Sequence, residues 1–267
     1  MAATLRPYAS LVAAQVRSQA SYRTSFIIDL VANGVVLFAD LTVVFVLFRI
    51  TPSLGGFAVV EVLLMFGLAS VAFSVADLAV GSIERIRHYV RTGLLDAILV
   101  RPLGALVQLV AMDFAPRRTG RVLSSAVLLV TAAWLAPIDW TPGRTVLLLV
   151  APTAGVVFFG AIFVATATIA FWWIESGELA NSVTYGGRDF TSYPITVYSG
   201  WFRRLFAYGL GFGFVAYYPA LTLLGRADPL GLPTWMGWIC PAVAVVAAAA
   251  AAAVWRVGVR HYRSTGS

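Results

Sequence analysis

The chain has no lysine: all 19 of its basic residues are arginine. A phosphate-binding loop of the form G-x-x-x-x-G-K-[ST] needs its lysine on the β- and γ-phosphates, so binding and splitting ATP by that route is not expected of this chain. A Schiff-base or pyridoxal lysine is excluded for the same reason. Cysteine occurs once, at Cys240, which rules out an intrachain disulfide, a four-cysteine metal site and a C-x-x-C redox pair. Charge is also scarce, at 12% of residues against 60% hydrophobic, and mean hydropathy is +0.86. Too little polar surface remains to cover a soluble domain of 267 residues, and an all-α integral membrane protein is expected.

A net charge of +7 and a pI near 10.0 would suit a nucleic-acid partner if the arginines formed a patch on a water-exposed fold. They flank long apolar runs instead, so no nucleic acid is expected. Arg6 is followed by a mixed amphipathic stretch with no uninterrupted apolar core, and no cleaved signal peptide is expected.

Apolar runs of roughly 18 residues or more are long enough to cross a hydrocarbon core as helices. Six occur, at 26–48, 58–80, 122–138, 145–174, 205–224 and 235–255. The apolar piece 103–112 is too short to cross alone and is either an interfacial segment or the lower part of a long third helix. Six spans put both termini on one side, and arginine distribution says which. One set of connecting segments holds 16 arginines: Arg6, Arg17, Arg23, Arg85, Arg87, Arg91, Arg101, Arg117, Arg118, Arg121, Arg188, Arg203, Arg204, Arg256, Arg260 and Arg263. The other holds 3, Arg49, Arg144 and Arg226. Both termini, 81–102 and 175–204 are therefore expected in the cytoplasm, with the chain multi-pass in the inner (plasma) membrane. Residues 4–22 carry Leu5, Tyr8, Val12 and Val16 on one helical face and suit an amphipathic helix at the cytoplasmic interface, against a disordered leader.

Several polar residues fall where lipid is expected. Asp29, Asn33, Val36 and Asp40 share a narrow arc of the first span, since 11 residues at about 100° each return nearly to the starting angle. Carboxylates in a membrane helix are costly, so that face meets another helix, a partner chain or a watery path; the readings are a substrate pathway or helix-to-helix bonding. Glu61 and Asp77, near opposite ends of the second span, read as interfacial or structural. The fifth span combines Gly209, Gly211 and Gly213 with Pro219, and is either broken and re-entrant or kinked and continuous. Trp235, Trp238 and Trp255 suit interfacial anchors. His88 and His261 lie on flanks, Glu175 and Glu178 lack histidines at metal-site spacing, and GGRDF at 186–190 is weak as a phosphate cradle, so neither a catalytic nor a metal site is expected.

The segment GSIERIRHYVRTGLLDAILVRP, residues 81–102, is too polar for lipid and too periodic in Ile83, Ile86 and Val90 for a linker. Its stretch IRHYVRTGLLDAILVRPL, together with ELANSVTYGGRDFTSYPITVYSGWFRRLFAYGLGFGFVAYYPALTLLG, resembles the permease subunits of type 2 ATP-binding-cassette (ABC) transporters, in particular a short branch with little outer surface. The resemblance covers nearly the whole chain. It implies an exporter in which two permease chains, identical or different, bind separate cytoplasmic ATPase subunits. Those partners would hold ATP and Mg, leaving no cofactor in this chain. It further implies that 4–22 is an elbow helix, that Pro219 belongs to re-entrant outer helices, and that 81–102 is the coupling segment inserted into the ATPase. Carried over residue by residue, its contact points would be Glu84, Arg87, Arg91, Gly93, Leu94, Leu95 and Asp96. Larger relatives carry a big outer domain that this chain lacks, so the resemblance does not extend to their substrates. Two readings from other classes compete: a proton- or ion-coupled secondary transporter or channel using Asp29 and Asp40, and an intramembrane enzyme using His88, His261, Glu175 or Glu178.

Overall fold

A computed structural model describes residues 23–101, 104–115 and 118–262. The leader 4–22 therefore lies outside the described residues, as does the side chain of Asp29. Among the described residues the chain is all-helical, with an isolated Leu54–Phe57 bridge as its only extended pairing.

The long helices are α1 (Arg23–Ile50), α2 (Val59–Val80), α6 (Thr119–Leu135), α7 (Pro142–Thr168), α8 (Gly177–Ser192) and α11 (Cys240–His261). Short ones lie between them: α3 (Ile86–Arg91), α4 (Leu94–Leu99), α5 (Ala105–Met112), α9 (Gly200–Arg203, continued as a π-helical turn to Gly209) and α10 (Tyr217–Leu224). Four helical runs are long and apolar enough to cross a membrane, Val31–Ile50, Val59–Arg91, Pro142–Phe171 and Thr234–His261, or five with the bent pair Gly200–Gly209 and Phe212–Leu224. The expected third span, 122–138, is a 17-residue helix, Thr119–Leu135, short for the hydrocarbon core. Residues 105–112 form the separate helix α5 and do not extend it.

Helix ends follow local chemistry. Glu61 accepts from the Ala58 amide at 2.7 Å and so satisfies an orphan donor at the start of α2. The Thr141 hydroxyl accepts from the Arg144 amide at 3.3 Å, and Pro142 opens α7 at a position whose missing N–H costs nothing.

The core gathers around α2, which packs on α6, α7 and α8, while α11 packs along α7. Phe73 meets Phe159 edge-on at 5.2 Å and Phe158 meets Phe212 at 5.1 Å, so aromatic edges fill the space between α2, α7 and the 212–214 turn. The apolar window of α2 is 72% buried and that of α1 only 6%. Helix α1 leans on α6 along one side and leaves the rest of its apolar surface uncovered.

The two ends of the bundle can be traced by contacts. At one end Arg226 pairs with Glu61, donates to the Gly56 carbonyl at 2.6 Å and lies 4.3 Å over the Phe57 ring. There too the Thr196 hydroxyl donates to the Gly55 carbonyl at 2.8 Å, and Thr222 bonds the Thr234 carbonyl. At the other, arginine-rich end, Arg91 pairs with Glu175 and Trp172 stacks on His261 at 5.7 Å.

This arrangement corrects the expected layout of the last third. Helix α8 starts beside Arg91 and Glu175 and finishes near Gly55, so 175–204 does not stay at the arginine-rich end. The expected fifth span, 205–224, is a pair of helices bent by 62° whose two ends both lie beside the 51–58 loop. Gly211 makes the bend at φ +85, a backbone conformation that glycine alone enters without strain. Pro219 sits in the first turn of α10, where its absent donor removes no helical bond. Arg203 and Arg204 thus leave the arginine-rich end, which keeps Arg85, Arg87, Arg91, Arg101, Arg118, Arg121, Arg256 and Arg260 among the described residues.

Candidate functional site

Two regions bring the singled-out residues together. The first is a cavity of about 150 Å³ between α1, α2, α6 and α8, lined by Asn33, Val36, Asp40, Ser70, Arg121 and Arg188 among others. Three of the four arc residues of the first span therefore share one cavity, as 3.6-residue periodicity requires of residues on one face. Asp40 accepts from Arg188 Nη2 at 2.8 Å, and Asn33 accepts from Arg121 Nε at 3.3 Å. Arg188 also lies 5.8 Å over the Phe73 ring, where its charge meets the ring's negative face. The Ser70 hydroxyl, on the α2 wall of this cavity, is buried without a hydrogen-bond partner among the described residues. Burial of a hydroxyl with no acceptor is unfavourable by about 1–3 kcal/mol, so a polar occupant of the cavity would be stabilised there.

Deeper in the bundle Asp77 accepts from Arg118 Nη1 at 2.8 Å and from Arg121 Nη1 at 3.3 Å. Arg118 also donates to the Asp77 carbonyl at 2.7 Å. Arg121 thus bonds Asn33 and Asp77 at once, linking the cavity to the arginine-rich end. Gly81 is required beside this pair, because a Cβ there would run into the Arg118 guanidinium and the Asp77 carboxylate. On α8, Thr184 bonds Thr166 at 3.2 Å and Gly187 lets the helix approach the Phe212 ring. The GGRDF stretch is a packing contact and the source of Arg188.

The second region is the segment 81–102. It forms a 3-10 turn (Gly81–Arg85), α3 and α4, with Gly93 at φ +71 as the left-handed joint between the two helices. Ile83, Ile86 and Val90 are all buried in the main core, which is the face their spacing indicates. Asp113 holds the segment from the α5 side, accepting from Arg85 at 2.6 Å and from the Tyr89 hydroxyl at 2.8 Å. Of the expected contact points, Leu94 and Arg91 are exposed and Glu84 and Arg87 half-buried. Leu95 is not available to a partner: it packs into this chain's own core, as Ile98 does, because α4 turns that face inward. The apolar side chains left outward are Leu94, Leu99 and Val100. Asp96 lies in the first turn of α4, where a carboxylate suits the helix dipole. Burial, and then that carboxylate beside it, raise the Tyr262 phenol above its ordinary pKa.

The candidate catalytic groups do not converge. His261 stacks on Trp172, Glu175 pairs with Arg91, and Glu178 is exposed on α8. No group of three or more His, Cys, Asp or Glu side chains among the described residues is arranged to hold a metal ion. Arg121, Ser70 and Tyr185, which also line the cavity, were not singled out from sequence, Arg121 being counted only for topology, and Arg188 was weighed only within the GGRDF stretch.

Comparison with known families bears on the whole of this architecture. Residues 35–266 match the family described as ABC-2 family transporter protein. The chain belongs to the ABC-2 transporter family. The match spans the 81–102 segment and the polar cavity apart from Asn33, and it makes this a multi-pass membrane protein with an ABC permease role, a transport component that is not itself catalytic. No curated protein and no solved structure matches it. ABC-2 membrane components typically work with an ATPase subunit.

Proposed function

We propose that this ABC-2 protein is the membrane-spanning permease subunit of an ATP-driven exporter, coupled to separate cytoplasmic ATPase subunits that bind ATP and Mg. The observation that carries the reading is the segment 81–102, folded firmly onto the bundle by its apolar face while Arg91, Leu94, Leu99 and Val100 point outward. An element anchored in this way transmits a push from a docked ATPase to α2 rather than absorbing it. In this reading the arginine-rich end is cytoplasmic, α8 is the fifth crossing, and the bent pair 200–224 re-enters from the opposite side. With α1, α2, α6, α7 and α11 that makes six crossings, and both termini lie in the cytoplasm. Residues 4–22 would form the elbow helix at the same interface.

The polar cavity lies beside α1, whose apolar face is left uncovered for lipid or for a second permease chain, identical or different. Its residues Asn33, Asp40, Arg121 and Arg188 join three helices through polar contacts, and ATPase closure would shift the population between two arrangements of them. The competing reading, an ion- or proton-coupled carrier using Asp29 and Asp40, has less support, since Arg188 already balances the Asp40 charge.

The test is co-purification. Arg91→Glu combined with Leu94→Asp should abolish recovery of the ATPase subunit with the tagged permease, while the permease itself elutes as the wild type does. Undiminished recovery of the ATPase with the double variant sinks the coupling assignment.

A further inference from the structure

A second, larger cavity of about 440 Å³ opens at the arginine-rich end, between the 81–91 segment and the link from α7 to α8. This size falls within the roughly 300–1,000 Å³ of small-molecule pockets. Its lining is strongly biased in charge: Arg85, Arg87, Arg91 and Arg118 face two carboxylates, Glu84 and Glu175. Three of those arginines have ion-pair partners, in Asp113, Glu175 and Asp77. Arg87 has no salt bridge among the described residues; its Nε donates only to the Glu84 carbonyl, at 3.5 Å. The Arg87 guanidinium lies across Gly177, the first residue of the 16-residue helix α8, where a Cβ would collide with it. A cation held at a helix N-terminus opposes the helix dipole, and an anion beside the guanidinium would offset that repulsion.

The height of this cavity in the membrane can be read from its rim. Trp172 and Trp173, the latter 54% exposed, directly precede the lining residues Ile174 and Glu175. Tryptophans left outward at the end of a crossing helix sit at the level of the lipid headgroups. A basic pocket between membrane helices at that level suits the phosphate of an anionic lipid. We infer that this cavity is a binding site for the phosphate headgroup of an anionic membrane phospholipid, with Arg87 as its central ligand and Arg91 at its mouth. The inference needs only the headgroup level and not the docking of an ATPase, so the two readings fail independently.

The site is tested on the full-length chain in nanodiscs of phosphatidylcholine with a minority of phosphatidylglycerol, with bound lipid counted by native mass spectrometry. Phosphatidylglycerol should be retained over phosphatidylcholine. Retention should fall about fivefold in Arg87→Gln and about fivefold in Arg91→Gln, from the loss of one arginine's attraction to an anionic surface in each case. Arg87→Lys, which keeps the charge over Gly177, should retain most of it, and so should Arg260→Gln, which removes a charge from the same end but outside the pocket. Arg91 is exposed, so its variant does not depend on repacking. Equal loss in Arg260→Gln would reduce the effect to surface charge and overturn the site, as would unchanged retention in both pocket variants. Displacement of the lipid by equimolar inorganic phosphate would show a soluble anion site and overturn the lipid assignment.

Discussion

Truncation of Asp77 to alanine is the perturbation that best separates the contributions of the central arginines. The Asp77 side chain is 4% exposed, whereas Arg118 is 27% and Arg121 43% exposed. Breaking a buried ion pair by deleting one partner is unfavourable by about 3–5 kcal/mol, because the other charge is left uncompensated. Arg118 retains a backbone acceptor, the Asp77 carbonyl at 2.7 Å, so its share falls below that range, to about 2 kcal/mol. Arg121 is half in solvent and bonds at a longer 3.3 Å, which puts its share under about 1 kcal/mol. Asp77→Ala should therefore destabilise the fold by about 3 kcal/mol. A double-mutant cycle then apportions the loss, with coupling of about 2 kcal/mol between Asp77 and Arg118 and below about 1 kcal/mol between Asp77 and Arg121. Reversible denaturant unfolding in mixed micelles, followed by tryptophan fluorescence, provides the measurement. A larger coupling to Arg121 than to Arg118, or a neutral Asp77→Ala, would refute the reasoning from burial and distance.

Gly81→Val should reproduce much of the Asp77→Ala loss without touching either charge, because its side chain displaces the Arg118 guanidinium from the carboxylate; the same unfolding curve reads it. Gly211→Ala should lower stability by at least about 1–2 kcal/mol, since its φ is +85 and a Cβ would approach the Val243 side chain to 2.8 Å. Asp40→Asn should weaken the contact between α1 and α8 and increase protease or deuterium access to α1, with Arg188→Gln giving no further increase in the Asp40→Asn background. In a Cys240→Ala background, Val197→Cys should react with a membrane-impermeant thiol reagent in intact cells while Glu175→Cys does not, and labelling at neither position would return 175–204 to the cytoplasmic side.

The parts of this fold that sequence made legible are those where hydrophobic periodicity and charge agree. Residues 26–48, 58–80, 145–174 and 235–255 stand out because each is an apolar run longer than a hydrocarbon core requires, and each overlaps a helix that meets the same length and composition test in the structure. The arc Asn33, Val36 and Asp40 was visible because helical geometry is rigid, and those residues do line one cavity. What stayed hidden is α8. Its sequence GELANSVTYGGRDFTS carries two acids and an arginine, so hydropathy assigns it to water. Yet one face of it packs against α2 and α7, with Arg188 bonded to Asp40 and Thr184 to Thr166, so that the polar groups of that face meet partners inside the protein while Glu178 and Asp189 stay exposed.

The same limit left 205–224 open between a continuous span and a re-entrant pair, since its apolar character is needed whether a segment crosses the bilayer or dips into it and returns. Hydropathy measures how badly a segment tolerates water; it does not say whether polar groups will be satisfied by neighbouring helices, nor which end of an apolar segment its chain leaves from. Only long-range pairs such as Thr196 with Gly55 and Arg226 with Glu61 carry that information. For this reason the polar helix α8, with the least membrane-like composition of the long helices, brings both Arg188 and Tyr185 to the cavity. An arginine packed against an apolar bundle is costly unless its contacts are made, and the Arg188–Asp40 pair is the contact that lets so polar a helix as α8 lie there.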